Sequence, residues 1–545
     1  MKGPEPKKAL LRISRPTVFR RPGRRTALRA VAHLAAWLPF VLGPARLIRG
    51  DWRPVGDEAA IALRSWNSLT AQGPMVGQAT RLAHGVFDPG PLQYWLLAIP
   101  VHLDTTHGVL WGAALFCLVA CSLAVEAAWS VLGPAGGLCA SGLIVGLTLW
   151  VPGIAVTPSW NPWFGMVFFV AALAAAWAVM SGHRGWWPAL VVTASVAAQA
   201  HLMFTVPSGV LAVLALIVGL ADSIRGRLSY WWALAGLIAG AACWSAPLIQ
   251  QYTSPDGNLG LLLRSSGATT GPRTGGAWGL KALTAAVQPV PIWLKSPTGI
   301  YQMISQRPAG FAVVVLVLLG VAAVTAVFPL RCRPLGALAV VTLVISLGSL
   351  VTYSGIPVHN TTLNALSYLI VMLFPIGVLS WLVVGSWAVL TGRLVLSRLA
   401  TTRLAGRAVP GAGLVAGLTA TALVVAGAIL ALSLQGQTVR YVTSDPAMAA
   451  TRAASRQIVQ KLPGQPIGLS VHDFNSTVVG RLTLGLTWAL TPHGFHAEIM
   501  HTRLARELGD RYIFRGEAIP IVRVRVRRHG TSVAVAKPTM LASHS

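Results

Sequence analysis

Acidic side chains are scarce in this sequence, in which 15 Asp and Glu stand against 43 Lys and Arg among 545 residues and give a formal net charge of +28. Charged residues make up 11% of the chain, well below the roughly 25% of soluble proteins, whereas 54% of the residues are hydrophobic. This balance excludes an ordinary soluble protein and predicts a polytopic membrane protein. The basic residues lie in short runs between apolar segments, which is the pattern that sets membrane topology, so the charge does not indicate nucleic-acid binding.

Cysteine is also rare, with five in the chain. All five lie in or beside apolar segments and none lies in a predicted external loop, so the sequence indicates no disulfide framework. None of their spacings matches a zinc site. These residues are Cys117, Cys121, Cys139, Cys243 and Cys332.

Long apolar runs are abundant. Eleven of them approach the roughly 20 residues that an α-helix needs to cross a bilayer. Arginine-containing loops recur on one side of these runs, as the positive-inside rule expects of cytoplasmic loops, so we predict a plasma-membrane protein with a cytoplasmic N-terminus. The predicted spans are 28–48, 108–132, 135–152, 163–181, 186–202, 204–221, 230–249, 309–329, 335–353, 366–390 and 411–434.

The chain divides into three predicted parts, of which the first two are a basic tail and a membrane domain. Residues 1–27 are rich in Lys and Arg and are predicted to form a disordered cytoplasmic tail. Residues 28–435 form the transmembrane domain, with external loops at 49–107 and 250–308. Within the first loop, Leu92–Leu103 is apolar but too short for a full span, so it is predicted to be an interfacial or re-entrant helix.

The third part, residues 436–545, is polar and is predicted to be a small α/β domain. An odd number of spans places it on the extracytoplasmic side, and roughly 100 residues suffice for a separate core. Helix-like runs at 447–461 and 476–490 alternate with strand-like runs at 466–471 and 519–526. The predicted fold class is an all-α polytopic membrane protein of about 11 transmembrane helices with this extracytoplasmic α/β domain.

Three of the few acids, Asp57, Glu58 and Asp88, lie in the first external loop. A carboxylate at a membrane face costs free energy unless it is hydrated, is paired with another polar or charged group, or serves a function. Asp57 could accept the proton of a hydroxyl that attacks an anomeric carbon, or the Asp57-Glu58 pair could simply sit favourably at a helix N-terminus. Asp88 could face Asp57, orient an acceptor or hold a divalent ion, or it could form a turn before Pro89-Gly90. The residues alone leave these alternatives open.

The same loop carries a wider pattern. Asp57-Glu58 follows the first span, Asp88 directly precedes Pro89-Gly90-Pro91-Leu92, and Tyr94-Trp95 comes next. Together these motifs resemble the GT-C glycosyltransferases, most closely the branch of protein O-mannosyltransferase-like and lipid A aminoarabinose transferase-like enzymes. The sequence departs from the family in two ways, since many relatives have His or Glu where Asp88 stands and a double proline where Pro89-Gly90-Pro91 stands.

Three later stretches are similar to the bacterial members of that family. They are Ser159-Trp160-Asn161-Pro162, Ala198-Gln199-Ala200-His201, and His359-Asn360 with Tyr368. The resemblance spans roughly residues 28–390. It implies a GT-C fold, a polyprenyl-phosphate-linked sugar as donor and an inverting transfer on the external face, with Asp57 in the catalytic position and Asp88 as its loop partner. The acceptor does not follow from the resemblance.

Further residues are predicted to contact the substrates. The polar and aromatic ones are Glu58, Tyr94, Trp95, Asn161, His201 and His359. A helix-end histidine satisfied by a carbonyl is the alternative for His201, and an ordinary loop residue is the alternative for His359. Cations of the loop 250–308 are predicted to stabilise the leaving phosphate, with anionic lipid headgroups as their alternative partners. These cations are Arg264, Arg273, Lys281 and Lys295.

The predicted function is that of a membrane glycosyltransferase. It moves a sugar from a polyprenyl-phosphate donor to an extracytoplasmic glycan, lipid or protein, in contact with membrane lipids and without nucleic acid. The cofactor is unknown, and a divalent metal ion at Asp57 and Asp88 stays open. The alternatives are a non-catalytic flippase or transporter of lipid-linked sugars and an envelope-assembly scaffold. Transporters often show paired halves with broken spans, and the sequence shows no such pairing.

Overall fold

A computed structural model describes the chain over residues 22–80, 85–226, 230–267, 272–292, 300–328, 330–358, 366–399, 412–472, 476–515, 519–527 and 530–536. These segments are mostly helical, with a small sheet near the C-terminus. The helices up to residue 369 are α1 Pro22–Arg49, α2 Asp57–Asn67, α3 Leu92–Leu103, α4 Gly108–Leu132, α5 Pro134–Trp150, α6 Gly153–Val156, α7 Asn161–Ser181, α8 Trp187–Ala200, α9 Thr205–Ile224, α10 Tyr230–Thr253, α11 Asn258–Gly267, α12 Gly275–Val287, α13 Ile300–Ser305, α14 Gly310–Val327, α15 Arg333–Ser354 and α16 Leu366–Leu369. The remaining helices are α17 Leu373–Leu399, α18 Ala412–Thr443, α19 Pro446–Lys461, α20 Ser476–Leu490 and α21 Thr502–Leu508.

Nine helices in the described segments are long and apolar enough to cross a membrane. They coincide with nine of the eleven predicted spans. The other two predicted spans form α5 and α8, which are helical but have only 17 and 14 residues. The apolar segment predicted to be too short for a span is the 12-residue helix α3. The all-α polytopic fold class is therefore confirmed, with two of the spans shorter than expected.

Helix α7 is the centre of the bundle, since 83% of its apolar window is buried, the largest share among the nine long helices. Small residues allow its neighbours to approach closely. A Cβ at Gly165 would lie 2.8 Å from the ring of Phe204, so only glycine fits there. Glycine and alanine are typical of such helix contacts in membranes, where close packing replaces the hydrophobic driving force.

The short helix α8 still connects the two ends of the bundle. At its start, Arg184 forms an ion pair with Asp222 near the end of α9. Just after its end, Leu202 contacts the loop that contains Asp88. We call the end of the bundle that contains Asp57, Asp88 and Asn161 the aspartate end, and the end that contains Ser181 and Arg333 the opposite end. The α7 helix separates the two by about 30 Å, at 1.5 Å per residue, which matches the hydrocarbon thickness of a bilayer.

The C-terminal part contains a four-stranded mixed sheet. Its strands are β1 Pro466–His472, β2 His496–Ile499, β3 Ile521–Arg527 and β4 Gly530–Ala536, in the order β2-β1-β3-β4. Strand β1 pairs in parallel with β2 and β3, whereas β3 and β4 are antiparallel. Helix α20 links β1 to β2, as a parallel pair requires. The sequence predicted α19, α20, β1 and β3, and it missed the short strand β2 and the strand β4.

Three boundaries differ from the expectations. Helix α1 begins at Pro22, so residues 22–27 are helical and do not belong to a disordered tail, while residues 1–21 lie outside the described part. The predicted loop 250–308 contains the helices α11, α12 and α13. The last long helix continues to Thr443, beyond the predicted boundary at residue 435.

Candidate active site

Asp57 begins helix α2 at the aspartate end. The preceding Gly56 has φ 58° and ψ −132°, a left-handed conformation that favours glycine, so the chain turns sharply there and the helix starts at Asp57. Asp57 and Glu58 both lie in the first turn, where the helix dipole favours negative charge. The indole Nε1 of Trp160 donates a hydrogen bond of 2.8 Å to Asp57 Oδ2. The side chain of Asp57 is half-buried, and this hydrogen bond engages its Oδ2 rather than its Oδ1.

Asp88 is buried, with 3% of its surface exposed. Its Oδ1 accepts a hydrogen bond from the backbone N–H of Leu202 at 2.7 Å, and its Oδ2 accepts one from Asn161 Nδ2 at 3.4 Å. Its backbone oxygen accepts from the N–H of Gly77 at 2.9 Å, and a Cβ at Gly77 would lie 2.5 Å from the Asp88 Cβ. Both carboxyl oxygens are therefore directed at protein groups, and Asp88 fixes its loop against α7 and the start of α9.

Burial raises the pKa of Asp88 from 3.8 to about 8, although the hydrogen bond from Leu202 and the charge of Arg64 oppose this shift. Burial likewise raises the pKa of Glu58 from 4.5 to about 7, against the charge of Arg481 and with the support of the neighbouring Asp57 charge. At neutral pH, Asp88 thus carries its proton. Burial thus shifts both Glu58 and Asp88 toward the neutral form, because desolvation disfavours the charged carboxylate.

Two consecutive residues hold the two aspartates, since Trp160 bonds Asp57 and Asn161 bonds Asp88. Both lie at the start of α7, where Pro162 occupies the first turn. The Asn161 side chain also donates to the carbonyl of Ala200 at 3.1 Å. Three stretches that the sequence linked by resemblance are thereby brought together: the Asp88 loop, the start of α7 and the end of α8.

Aromatic rings extend this site. The ring of Tyr368 lies 5.0 Å from the Trp160 ring and 5.5 Å from the His201 ring, both edge-on. His201 Nδ1 accepts a hydrogen bond from the N–H of Met203 at 3.2 Å, which fixes the imidazole beside Tyr368. His359, which was also predicted to contact substrate, lies outside the described residues.

Helix α3 places its two predicted aromatic residues on different surfaces. Tyr94 is buried with 3% exposure, whereas Trp95 is 36% exposed. Burial raises the pKa of Tyr94 to about 12 against the charge of Arg64, and negative charge on Asp88 and Asp57 acts in the same direction as burial. The phenol of Tyr94 is therefore within electrostatic range of both aspartates and stays a neutral hydrogen-bond donor. The neighbouring Gln93 donates to the carbonyl of Ser159 at 2.7 Å and ties α3 to the start of α7.

Arg64 is a site residue that the sequence analysis missed. It lies two turns after Asp57 on α2, and a spacing of seven residues puts both on one helix face. Arg64 is 8% exposed, and its guanidinium lies 4.9 Å from the centre of the Tyr94 ring and donates to the carbonyl of Val76 at 3.0 Å. The ion pairs of the described segments do not include it. A buried cation that forms none of these ion pairs, and whose charge acts on the neutral Asp88, is suited to an anionic ligand. Its only sequence signal was a basic residue in an external loop.

Asn258 is a second missed residue. Its Oδ1 accepts from the N–H of Phe87 at 3.0 Å, and its Nδ2 donates to the carbonyls of Phe87 at 3.1 Å and Asp88 at 3.4 Å. Helix α11, which Asn258 begins, is thus fastened to the Asp88 loop. Gly90 is equally constrained, because a Cβ there would lie 2.1 Å from Gln199 Oε1.

The C-terminal part contacts the same end of the bundle. The N–H of Gly56 donates to the carbonyl of Arg481 at 3.1 Å, and the Arg481 guanidinium pairs with Asp445 at 2.5 Å. Asn67 at the end of α2 donates to the Tyr512 hydroxyl at 3.0 Å. Both ends of the helix that begins with Asp57 are therefore held by the C-terminal part, which sequence analysis did not anticipate.

The predicted phosphate-binding cations are dispersed. Arg273 donates to the carbonyl of Ser265 at 2.6 Å, and Lys281 donates to the carbonyl of Ser305 at 2.8 Å. Arg264 is exposed on α11, and Lys295 lies outside the described residues. Arg273 and Lys281 thus contact backbone carbonyls within their own region, and the structure does not bring them to the aspartates.

The donors around Asp88 fit a divalent cation poorly. Both of its oxygens already accept hydrogen bonds, and its raised pKa favours the neutral carboxyl group. Within the described segments no three His, Cys, Asp or Glu side chains gather in a way that could hold a metal ion. The geometry of Asp88 therefore agrees better with a positioning residue than with a metal ligand.

Comparison of the sequence with protein-family models and with curated proteins finds no match. Eight chains from solved structures match this chain. Two of them are ArnT from Cupriavidus metallidurans in the apo state, with a TM-score of 0.52, and ArnT from Cupriavidus metallidurans bound to undecaprenyl phosphate, with a TM-score of 0.51. In both cases the identity is 15%, and the match covers 94% of this chain and 98% of that chain. The chain has the ArnT-like GT-C fold, which confirms the fold expected from the sequence motifs.

Proposed function

We propose that this protein is a membrane glycosyltransferase that transfers a sugar from a polyprenyl phosphate to an acceptor hydroxyl at the aspartate end. The observation that carries the proposal is the pairing of Asp57 with Trp160 and of Asp88 with Asn161. This arrangement holds a half-buried carboxylate and a buried, neutral carboxyl group through two consecutive residues at the start of α7. The ArnT-like fold supports the proposal, and one of the two ArnT structures contains undecaprenyl phosphate.

Asp57 is the general base in this proposal. Its Oδ2 is held by the Trp160 indole, so Oδ1 accepts the proton of the acceptor hydroxyl. The acceptor oxygen forms a bond to the anomeric carbon while the bond from that carbon to the phosphate oxygen breaks. The electron pair leaves on the phosphate, and attack opposite to the leaving group inverts the anomeric centre.

Arg64 is proposed to stabilise the leaving phosphate, in place of the cations named from the sequence. Its buried guanidinium has no carboxylate partner in the described part of the chain and is stacked on Tyr94. A preorganised cation directed at developing negative charge contributes most in a site from which water is excluded. Tyr94, which remains neutral, supplies a hydroxyl donor next to it.

Asp88 is proposed to position the loop that contains it rather than to take part in the reaction. It is buried and neutral at pH 7, and it ties its loop to Leu202 and Asn161. The raised pKa of Glu58, to about 7, suits a residue that donates a hydrogen bond to a sugar hydroxyl below that pH. The aromatic group of Trp160, Tyr368 and His201 supplies ring faces and edges for the sugar.

The C-terminal part is proposed to lie on the same side of the membrane as the transfer site. Gly56 and Asn67 contact Arg481 and Tyr512, which supports the prediction that residues 436–545 are extracytoplasmic. The Arg-rich opposite end, which includes Arg331 and Arg333, supports a cytoplasmic location for that end.

The assay that tests the proposal measures free polyprenyl phosphate released by the purified protein from a panel of polyprenyl-phosphate sugars, with an envelope extract as acceptor. Release by the wild type and none by Asp57→Asn supports a transferase. The matched control is Asp256→Asn, an exposed carboxylate in the loop after α10, which should retain wild-type release. Equal release by wild type and Asp57→Asn would refute the assignment of the base, and no release with any donor would favour a flippase or a scaffold.

A further inference from the structure

A cleft opens at the opposite end of the bundle, between the ends of α7 and α14 and the start of α15. Its volume is about 360 Å³, which lies within the roughly 300–1,000 Å³ range of small-molecule sites. We call it the arginine cleft. It is lined chiefly by Met180, Val327, Arg331, Arg333, Ala337 and Val340.

The two arginines of the cleft have no acidic partners in the segments that the structure describes. The acids near this end are Glu126, which pairs with Arg29 and His33, and Asp222, which pairs with Arg184. The ion pairs of the described residues include neither Arg331 nor Arg333. Two adjacent positive charges therefore face a cavity without a carboxylate to neutralise them.

Both arginines line the cleft, and contacts with the end of α7 hold Arg333 there. Arg333 Nε donates to the carbonyl of Met180 at 3.3 Å, and its guanidinium packs over Gly182, where a Cβ would lie 3.3 Å from Arg333 Cζ. Arg331 has φ 52°, a left-handed conformation that residues other than glycine seldom adopt. A glycine would be relaxed at that position, so Arg331 adopts a locally strained backbone conformation.

The surroundings of the cleft are those of a membrane interface. Val324 and Phe328, at the end of α14 together with the cleft residue Val327, are 64% and 75% exposed, which suits contact with acyl chains. The cleft lies about 30 Å from the aspartates along α7, so it opens at the headgroup level of the other leaflet. Arginine binds phosphate through two parallel charge-assisted hydrogen bonds, and basic pockets between membrane helices are suited to anionic headgroups.

We propose that the arginine cleft binds the phosphate group of an anionic diacyl phospholipid in the leaflet opposite to the aspartates. The phosphate lies between Arg331 and Arg333, and the acyl chains lie along Val324 and Phe328. A free anion would use the arginines but would leave the exposed apolar flank uncovered. The site is independent of the sugar transfer proposed for the aspartate end.

Native mass spectrometry of the full-length protein, titrated with phosphatidylglycerol and in parallel with phosphatidylcholine, tests this proposal. The wild type should retain phosphatidylglycerol preferentially. The Arg331→Gln/Arg333→Gln variant should bind it at least about tenfold more weakly, a difference of about 1.4 kcal/mol. The control is Arg393→Gln, which removes an exposed arginine of α17 outside the cleft and should bind like the wild type.

A second variant separates binding from folding. Arg331→Gly relieves the left-handed strain while it removes one charge, so it should melt no lower than the wild type and yet bind phosphatidylglycerol more weakly. Equal phosphatidylglycerol binding by the double variant and Arg393→Gln would overturn the proposal. Displacement of the lipid by inorganic phosphate at similar concentration would also overturn it, because the site would then recognise a free anion.

Discussion

The indole nitrogen of Trp160 lies 2.8 Å from Asp57 Oδ2, across 103 residues of sequence. The next residue, Asn161, makes the corresponding contact with Asp88. One helix start therefore sets the positions of both acids of the predicted site. Because α7 is the most buried long helix of the bundle, this start has little freedom to move, and the geometry of the aspartates depends on it.

Replacement of Trp160 by Phe should lower sugar transfer by roughly tenfold to a hundredfold, since a hydrogen bond to a charged group contributes about 1.5–3 kcal/mol. The Phe ring keeps most of the contact with Tyr368, so the melting temperature should change little. The measurement is the rate of polyprenyl-phosphate release. The control is Trp163→Phe, a buried neighbour that packs edge-on against Trp160 at 4.8 Å without contacting Asp57 through a hydrogen bond. Equal losses in both variants would argue that packing and not the hydrogen bond matters.

Replacement of Arg64 by Gln should lower turnover by about 10²–10³-fold, the loss expected when a preorganised group that stabilises developing charge is removed. Arg64→Lys should recover part of the activity, because it restores the charge but not the planar stacking on Tyr94. Release kinetics with saturating donor are the measurement. Arg456→Gln, an exposed arginine of α19, is the control. An unchanged turnover in Arg64→Gln would remove Arg64 from the mechanism.

The raised pKa of Asp88 predicts a pH-dependent stability. Its pKa is about 8 in the folded protein and 3.8 in the reference state. Between these values the unfolded chain loses the proton and the folded protein keeps it, so Asp88 lowers the free energy of unfolding as the pH rises from about 4 to about 8. Asp88→Asn cannot ionise. Its melting temperature relative to the wild type should therefore rise across this interval, as thermal unfolding in detergent at several pH values can show. If the difference in melting temperature between Asp88→Asn and the wild type stayed constant with pH, this would contradict the raised pKa of Asp88.

Gly56→Ala should destabilise the contact between α2 and the C-terminal part. The residue has φ 58°, and an added Cβ would lie 3.2 Å from Arg481 Cγ. Gly85→Ala is the matched control, because Gly85 has φ 75° and open space around its Cβ position. Strain from the positive φ should cost about 1 kcal/mol in both variants, and only Gly56→Ala should also reduce turnover. Similar turnover in the two variants would mean that the Arg481 contact does not position Asp57.

Composition and periodicity sufficed for much of the architecture. Of the eleven spans predicted from apolar runs of bilayer length, nine are long helices in the described segments, since crossing a membrane imposes a length and an apolar character that the sequence displays directly. The helices α19 and α20 and the strands β1 and β3 were found by their periodicity. The short strand β2 was missed because four residues carry too little alternation.

The candidate site follows partly from the sequence and partly from the tertiary structure. The sequence by itself determined that Asp57, Glu58 and Asp88 lie in the loop after the first span and that this loop resembles a GT-C pattern. Only the tertiary structure decided which residues meet there, because Arg64, Asn258 and Arg481 reach the loop through packing between segments distant in sequence. It also decided the difference between the two aspartates: burial raises the pKa of Asp88, while Asp57 stays half-buried at a helix start, and burial is a property of the folded chain that no local pattern specifies.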